Sequence, residues 1–189
     1  MNALFDKLPT VAVIDGEEYE INTDFRVCLK IMIALEDIEL TPLEKQLVAL
    51  ELLYKKMPVN VKRASELAML FLNYGEEITE ENASDSEKVY SFEKDSKYIL
   101  TAFQQTYSID LDKIEYMHWW KFSYMFLDLK EDCFFTKLID LRNRKNKGKL
   151  SKEEKEYCYK IKSIIELPKV KTVEEIQAEN RFMELLGED

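Results

Sequence analysis

The sequence is poor in the residues that most chemistry and most loop-rich folds require: one histidine, three cysteines, four glycines and four prolines in 189 residues. Each scarcity excludes something. With His118 as the only histidine and no CxxC pair, one chain cannot assemble a closed zinc site. Cys28, Cys133 and Cys158 are far apart and odd in number, so reduced thiols are expected rather than a disulfide framework. They have a single candidate base among them, and no nucleophile triad follows. No G-x-G-x-x-G, no Walker A pattern and no G-x-S-x-G occurs. Basic residues are outnumbered, 27 against 37, and the net charge of −10 opposes a general nucleic-acid binder, whose phosphate contacts need clustered Lys and Arg. No stretch approaches the roughly 18 uninterrupted apolar residues of a membrane span. The opening MNALFDKLPT lacks the basic start and apolar run of a secretion signal, so a soluble intracellular protein is expected.

What is present points to helices. Hydrophobic residues make up 46% and charged residues 34%, enough for a core under a solvated exterior. The length fits one domain, or one with a small appendage. The most unusual stretch is residues 116–129, YMHWWKFSYMFLDL, which holds both tryptophans and His118. Helical spacing places Tyr116, Trp119, Trp120, Ser123 and Leu127 on one side, with Phe122, Phe126 and Leu129 extending it and Met117 and Tyr124 round the other. A helix apolar on most of its circumference is buried on several sides. Its aromatic and Met content also suits a partner surface.

Elsewhere the chain is punctuated by turn and cap signals. Residues 11–21, VAVIDGEEYEI, alternate around Asp15-Gly16 and predict a β-hairpin. Two strands alone are marginal in water, so the hairpin is expected to lie on the helices that follow, and its free edge offers a route to pairing with another copy. Asn22-Thr23-Asp24 caps a helix running to about Glu36. Thr41-Pro42-Leu43-Glu44, a capping box with Pro at the first helical position, starts a second. Asn60 caps a third, which Gly75 ends. Residues 76–86, EEITEENASDS, read as an exposed acidic linker. Ser84-Asp85-Ser86-Glu87 predicts a helix start running through Phe92, Ile99 and Phe103. After the aromatic helix comes another carrying Phe134, Phe135, Leu138 and Leu141, ending in Arg142, Arg144 and Lys145. Those basic residues read as a helix C-terminus and its loop rather than a nucleic-acid patch. Ser151-Lys152-Glu153-Glu154 caps a helix that Leu167-Pro168 stops, and Thr172-Val173-Glu174-Glu175 caps a weakly amphipathic tail helix.

The reading is a mainly α fold, a bundle of about seven to eight helices with a short N-terminal β-hairpin. Its expected organisation is residues 1–75 as a hairpin and three-helix unit, 76–86 as linker, 87–167 as an aromatic-rich helical unit and 168–189 as tail. Glu115-x-x-His118 has the spacing of two di-iron ligands on a helix. That site needs a second such pair, which a single-histidine chain supplies only through a symmetric dimer. No catalytic constellation, cofactor or metal site is therefore expected.

Two segments together carry a resemblance. Asp15-Gly16-x-x-Tyr19-x-Ile21-Asn22-Thr23-Asp24-Phe25-Arg26 is one half. The other is His118-Trp119-Trp120-Lys121-Phe122, followed by Leu127, Leu129 and the Arg142 helix end with its basic loop. Over roughly residues 8–167 the chain resembles the bacteriophage Gp15 family, the tail assembly chaperones of long-tailed phages and prophages of Gram-positive bacteria. The resemblance implies a non-enzymatic protein of the host bacterial cytoplasm, absent from the mature virion. Its implied partners are the tape-measure protein and a companion tail assembly chaperone product, with neither nucleic acid nor membrane involved. Trp119, Trp120, Phe122, Tyr124 and Phe126 are the expected structural heart or contact surface, and Arg142 and Arg144 are expected to pair with acidic groups on a partner. An acidic regulatory protein that binds a basic host factor through residues 76–86 is the competing expectation.

Overall fold

The structure, a computed structural model, describes residues 4–77 and 87–167. Asp15 and Gly16 adopt φ of 52° and 86°, the two positive values that a tight hairpin turn requires, and join β1 (Val11–Ile14) to β2 (Glu17–Glu20). Antiparallel register sets Val11 opposite Glu20 and Ile14 opposite Glu17. The period of two turns Ile14 and Tyr19 inward and leaves Val11 and Val13 at the surface. The hairpin lies against the helices, as expected. Asn22 N donates to Leu53 O at 2.7 Å and Lys55 N to Glu20 O at 3.1 Å, so residues 53–55 run beside β2 as a short third rail.

Three helices follow with the expected caps. Asp24 accepts from Arg26 N to start α1 (Phe25–Glu36). The Thr41 capping box, both of its bonds made, starts α2 (Pro42–Leu53), and Asn60 accepts from Arg63 N to start α3 (Val61–Leu72). Helix α3 closes with Tyr74 in the left-handed region, φ 59°. Tyr74 N donates to Phe71 O and Gly75 N to Leu70 O across the helix end, the bond pair of a Schellman cap. Helix α1 packs along α2, and α2 along α3.

In the second half the observed elements are α4 (Ser96–Tyr107), α5 (Trp119–Leu127), α6 (Phe134–Asn146), α7 (Lys152–Lys160) and α8 (Lys162–Ile165). The eight helices and single hairpin among the described residues match the expected class. Four local expectations are corrected. First, no helix runs from Glu87 through Phe92; residues 87–95 are irregular, and α4 begins only after Asp95. Second, the aromatic helix is shorter than 116–129, because His118 accepts from Trp120 N and caps it there. Met117, placed by helical spacing away from the main face, is buried, whereas Leu127, placed on it, is 73% exposed. Third, the helix begun by the Ser151 capping box breaks at Ile161 into α7 and α8. Fourth, Arg142 is not a surface charge at a helix end but is fully enclosed. Residues 78–86 of the acidic stretch, and the tail helix expected within 168–189, lie outside the described residues.

One hydrophobic core draws on both sides of the 76–86 segment. It takes Ile14, Phe25, Ile31, Leu50, Leu53, Ala64 and Phe71 from one side, and Phe103, Trp119, Trp120, Phe122 and Phe135 from the other. A second, smaller cluster, Leu138, Leu141, Cys158 and Ile165, holds the C-terminal helices.

Candidate functional site

The two sequence segments that stand out, 15–26 and 118–122, meet in space. Phe25 N donates to Met117 O at 3.0 Å and Trp119 N to Thr23 O at 2.7 Å, so residues 23–25 and 117–119 pair antiparallel through an isolated bridge between Asp24 and His118. Each bridge residue is also an N-cap, Asp24 of α1 and His118 of α5. The pairing therefore fixes the start of both helices at one point. Three further bonds lock it. Thr23 Oγ1 and the Tyr116 hydroxyl lie 2.7 Å apart, and Arg26 donates to Leu111 O and Ile114 O at 2.9 and 2.7 Å.

At His118 the bonding assigns the tautomer. Nδ1 accepts from Trp120 N at 3.1 Å, so it carries no proton, and Nε2 at 3.0 Å from Pro9 O must be the N–H donor. The imidazole is neutral and both nitrogens are engaged by backbone. Burial holds its pKa below the ordinary histidine value, partly offset by the bond to Pro9. Glu115 is exposed and precedes the helix, so Glu115 and His118 do not form the helical ligand pair that their spacing suggests. Among the described residues no group of three or more His, Cys, Asp or Glu side chains is placed to hold a metal ion. Cys28 is enclosed, and burial, with Asp24 next, pushes its thiol up to about 12, far from a reactive thiolate.

Of the expected aromatic contact residues, three are core. Trp119 and Trp120 point their indole N–H groups at the end of α3, donating to Leu72 O at 3.0 Å and Phe71 O at 2.7 Å. Helix C-termini leave carbonyls without intrahelical partners, and the tryptophan pair satisfies two of them. Phe122 lies between Phe25 and Phe103, with ring centroids 4.7 and 5.0 Å away and planes 12° and 6° from parallel. Phe126 is half-buried against Tyr90, Phe92 and Phe135. Tyr124 is different. It is 41% exposed, and with Leu127 three residues on it forms an apolar margin where α5 meets solvent. Burial of its ring, then Glu76 and then Tyr74, raises the Tyr124 hydroxyl pKa.

The two arginines divide. Arg144 is half-exposed, bonded to Asp140 at 2.9 Å and to Glu154. Arg142 is buried and uses all five guanidinium N–H groups inside the chain. Nη1 and Nη2 donate to the two Asp95 oxygens at 2.5 and 3.0 Å, and the remaining donors reach Val89 O, Ile164 O and Ile165 O. Asp95 also accepts from Ser91 N at 3.0 Å. Arg142 is thus unavailable to a partner, and Asp95 is the residue that the sequence reading missed. A signal did exist. Arg142 follows Phe135 and Leu138 at spacings of seven and four, and Asp95 precedes Ile99 and Ala102 by four and seven, so both charges fall on apolar stripes. Opposite charges on buried stripes require each other.

Among the described residues no helix is long and apolar enough to cross a membrane. No curated protein and no solved structure matches the chain. A family model described as "Bacteriophage Gp15 protein" matches residues 4–167, and the chain belongs to that family of phage proteins.

Proposed function

We propose that the chain is a tail assembly chaperone, a non-catalytic protein that binds the tape-measure protein in the host cytoplasm and keeps it soluble until the tail tube polymerises around it. The observation that carries this reading is family membership over residues 4–167. A tape-measure protein is a long helical chain whose apolar stripes self-associate when uncovered. A chaperone for it must cover those stripes weakly enough to be displaced, which favours many copies with modest contacts. Exposed apolar side chains are spread accordingly: Leu43 and Leu47 on α2, Tyr124 and Leu127 on α5, Tyr157 and Tyr159 on α7. Small patches of this kind suit an amphipathic helix laid across the surface rather than a single deep pocket. In this reading the protein acts beside a companion chaperone product and leaves before the virion is complete.

Co-expression tests it. The tape-measure protein alone should partition into the insoluble fraction, and co-expression should move it to the soluble fraction as a complex that co-purifies. Unchanged solubility together with no complex would falsify the proposal. Neutralising Glu76, Glu77, Glu80, Glu81 and Asp85 should leave the complex intact. Loss of binding in that variant would favour an acidic regulator of a basic partner instead.

A further inference from the structure

The C-terminal helices are attached differently from the rest of the fold. Helices α7 and α8 contribute only Cys158 and Ile165 to a buried cluster, and that cluster is separate from the main core. Space flanks α7 on both sides. A groove of about 610 Å³, lined by Phe134, Leu138, Leu141, Tyr157 and Ile161 among others, separates it from α6. A second space of about 300 Å³, bordered by Leu150, Cys158 and Tyr159, lies on its other flank. Both are grooves open to solvent, so α7 is bordered by water along much of its length and rests on α6 through few side chains, unlike the enclosed rings around Phe122.

Polar bonds hold the segment in place of packing. The Arg142 guanidinium donates to Ile164 O and Ile165 O at 2.7 and 2.8 Å, satisfying carbonyls at the end of α8. Arg144 bonds Glu154 near the start of α7, and Lys94 bonds Glu166 O beyond α8. The segment follows a turn at Gly148, whose φ of 66° lies in the left-handed region. Few buried apolar contacts, and a hold made of the Arg142 guanidinium and the Arg144–Glu154 and Lys145–Glu166 ion pairs instead, are the features of a unit that opens by itself.

We propose that residues 151–167 form a strap that swings off α6 as a unit, hinged near Gly148 and released at the Arg142 clamp, while the main core stays folded. Opening uncovers Leu138 and Leu141, which join the half-exposed Phe134 as an apolar stripe at spacings of four and seven along α6. The strap is thus a device that hides or presents that stripe.

The three cysteines report on it directly, because Cys158 sits on the strap's own buried face, against Leu138 and Leu141, while Cys28 and Cys133 lie in the main core. The full chain is treated with N-ethylmaleimide under native conditions. Labelling at each cysteine is followed by peptide mass spectrometry and normalised to its rate in the unfolded chain. Cys158 should be modified at least about tenfold faster than Cys28 and Cys133, and Asp95→Asn, which removes the charge facing Arg142, should raise its rate by about tenfold more. Glu154→Gln keeps the capping box but weakens the bond to Arg144, and should raise the Cys158 rate about two- to threefold with Cys28 and Cys133 unchanged. Equal protection of all three thiols, or rates that rise together in Asp95→Asn, would show that the strap opens only with the whole fold and overturn the proposal. Fast Cys158 labelling indifferent to both variants would overturn it too, since the reagent would then be entering the 300 Å³ space with the strap closed.

Discussion

Phe25 and Phe122 stack with ring centroids 4.7 Å apart, joining the first turn of α1 to α5 across nearly a hundred residues of chain. Phe103 stacks on the other face of Phe122, so one side chain fills the space between three helices. Phe122→Ala should therefore cost about 3–5 kcal/mol, the range for emptying a fully enclosed aromatic site. Urea denaturation read by far-ultraviolet circular dichroism measures it. Phe122→Leu should cost clearly less, since it leaves a smaller cavity.

The tryptophan caps on α3 give a second expectation. Trp120→Phe keeps most of the ring but removes the indole N–H that reaches Phe71 O at 2.7 Å, leaving that carbonyl its backbone bond from Tyr74 N. Losing one hydrogen bond while the acceptor keeps another costs about 0.5–1.5 kcal/mol. Thermal unfolding should fall correspondingly, and hydrogen exchange should accelerate in the last turn of α3 before it does so in α1.

Gly75 belongs to the same corner. Its φ is +84°, and a Cβ there would meet Trp120 Cη2 at 3.1 Å. Gly75→Ala should lower stability by about 1–2 kcal/mol, through left-handed strain and crowding of the indole. A Trp120→Phe background should relieve the crowding but not the strain, so the two losses should not add, and a double-mutant cycle measures the difference.

His118 sets a pH dependence. The unfolded imidazole titrates near 6.5 and burial holds the folded one lower. As pH falls, the unfolded chain takes up the proton first, so stability present above the unfolded value is lost as pH drops from 6.5 through the folded value. Protonation also puts an N–H on Nδ1, where Trp120 N already donates. Urea stabilities between about pH 7.5 and 5.5, above most carboxylate titrations, should decline for the native chain. His118→Asn, which keeps an N-cap acceptor, should give a flatter profile.

Arg142 and Asp95 should not behave as a simple exchangeable pair. Arg142→Met leaves the Asp95 charge buried and should cost about 3–5 kcal/mol. Replacing both, Arg142→Met with Asp95→Leu, removes the charges but strands Val89 O, Ile164 O and Ile165 O, which Arg142 alone reaches among the described residues. The double variant should thus recover only part of the loss in a denaturation series.

Much of the framework was legible locally. Asp15-Gly16, the Thr41 and Ser151 capping boxes, Pro42 and Asn60 act within four residues of themselves, so their chemistry decides the turn or helix start wherever the chain goes. The limits of α5 were not legible that way. Helical spacing carries Tyr116 and Met117 smoothly into the helix, but antiparallel pairing with residues 23–25 holds them extended, and His118 takes the cap. Glu87 to Asp95 failed for a similar reason, because the Asp95 carboxylate binds Ser91 N and Arg142 rather than the end of α4.

The functional residues divide along the same line. That the aromatic stretch is the centre of the molecule followed from its composition, since so many large apolar side chains on one short helix have to leave water. Which of them face a partner did not. Trp119, Trp120 and Phe122 are enclosed because α1, α3 and α4 converge on them, whereas Tyr124 has the Tyr74 ring beside it and stays 41% exposed, and Leu127 is 73% exposed. Arg142 reads in sequence like Arg144, a basic residue near a helix end, and only the fold brings Asp95 to one and leaves the other near solvent. Local chemistry determined where elements begin and that the core is aromatic. Tertiary contact decided which charges are buried and which aromatic edges remain free, because both depend on neighbours dozens of residues away.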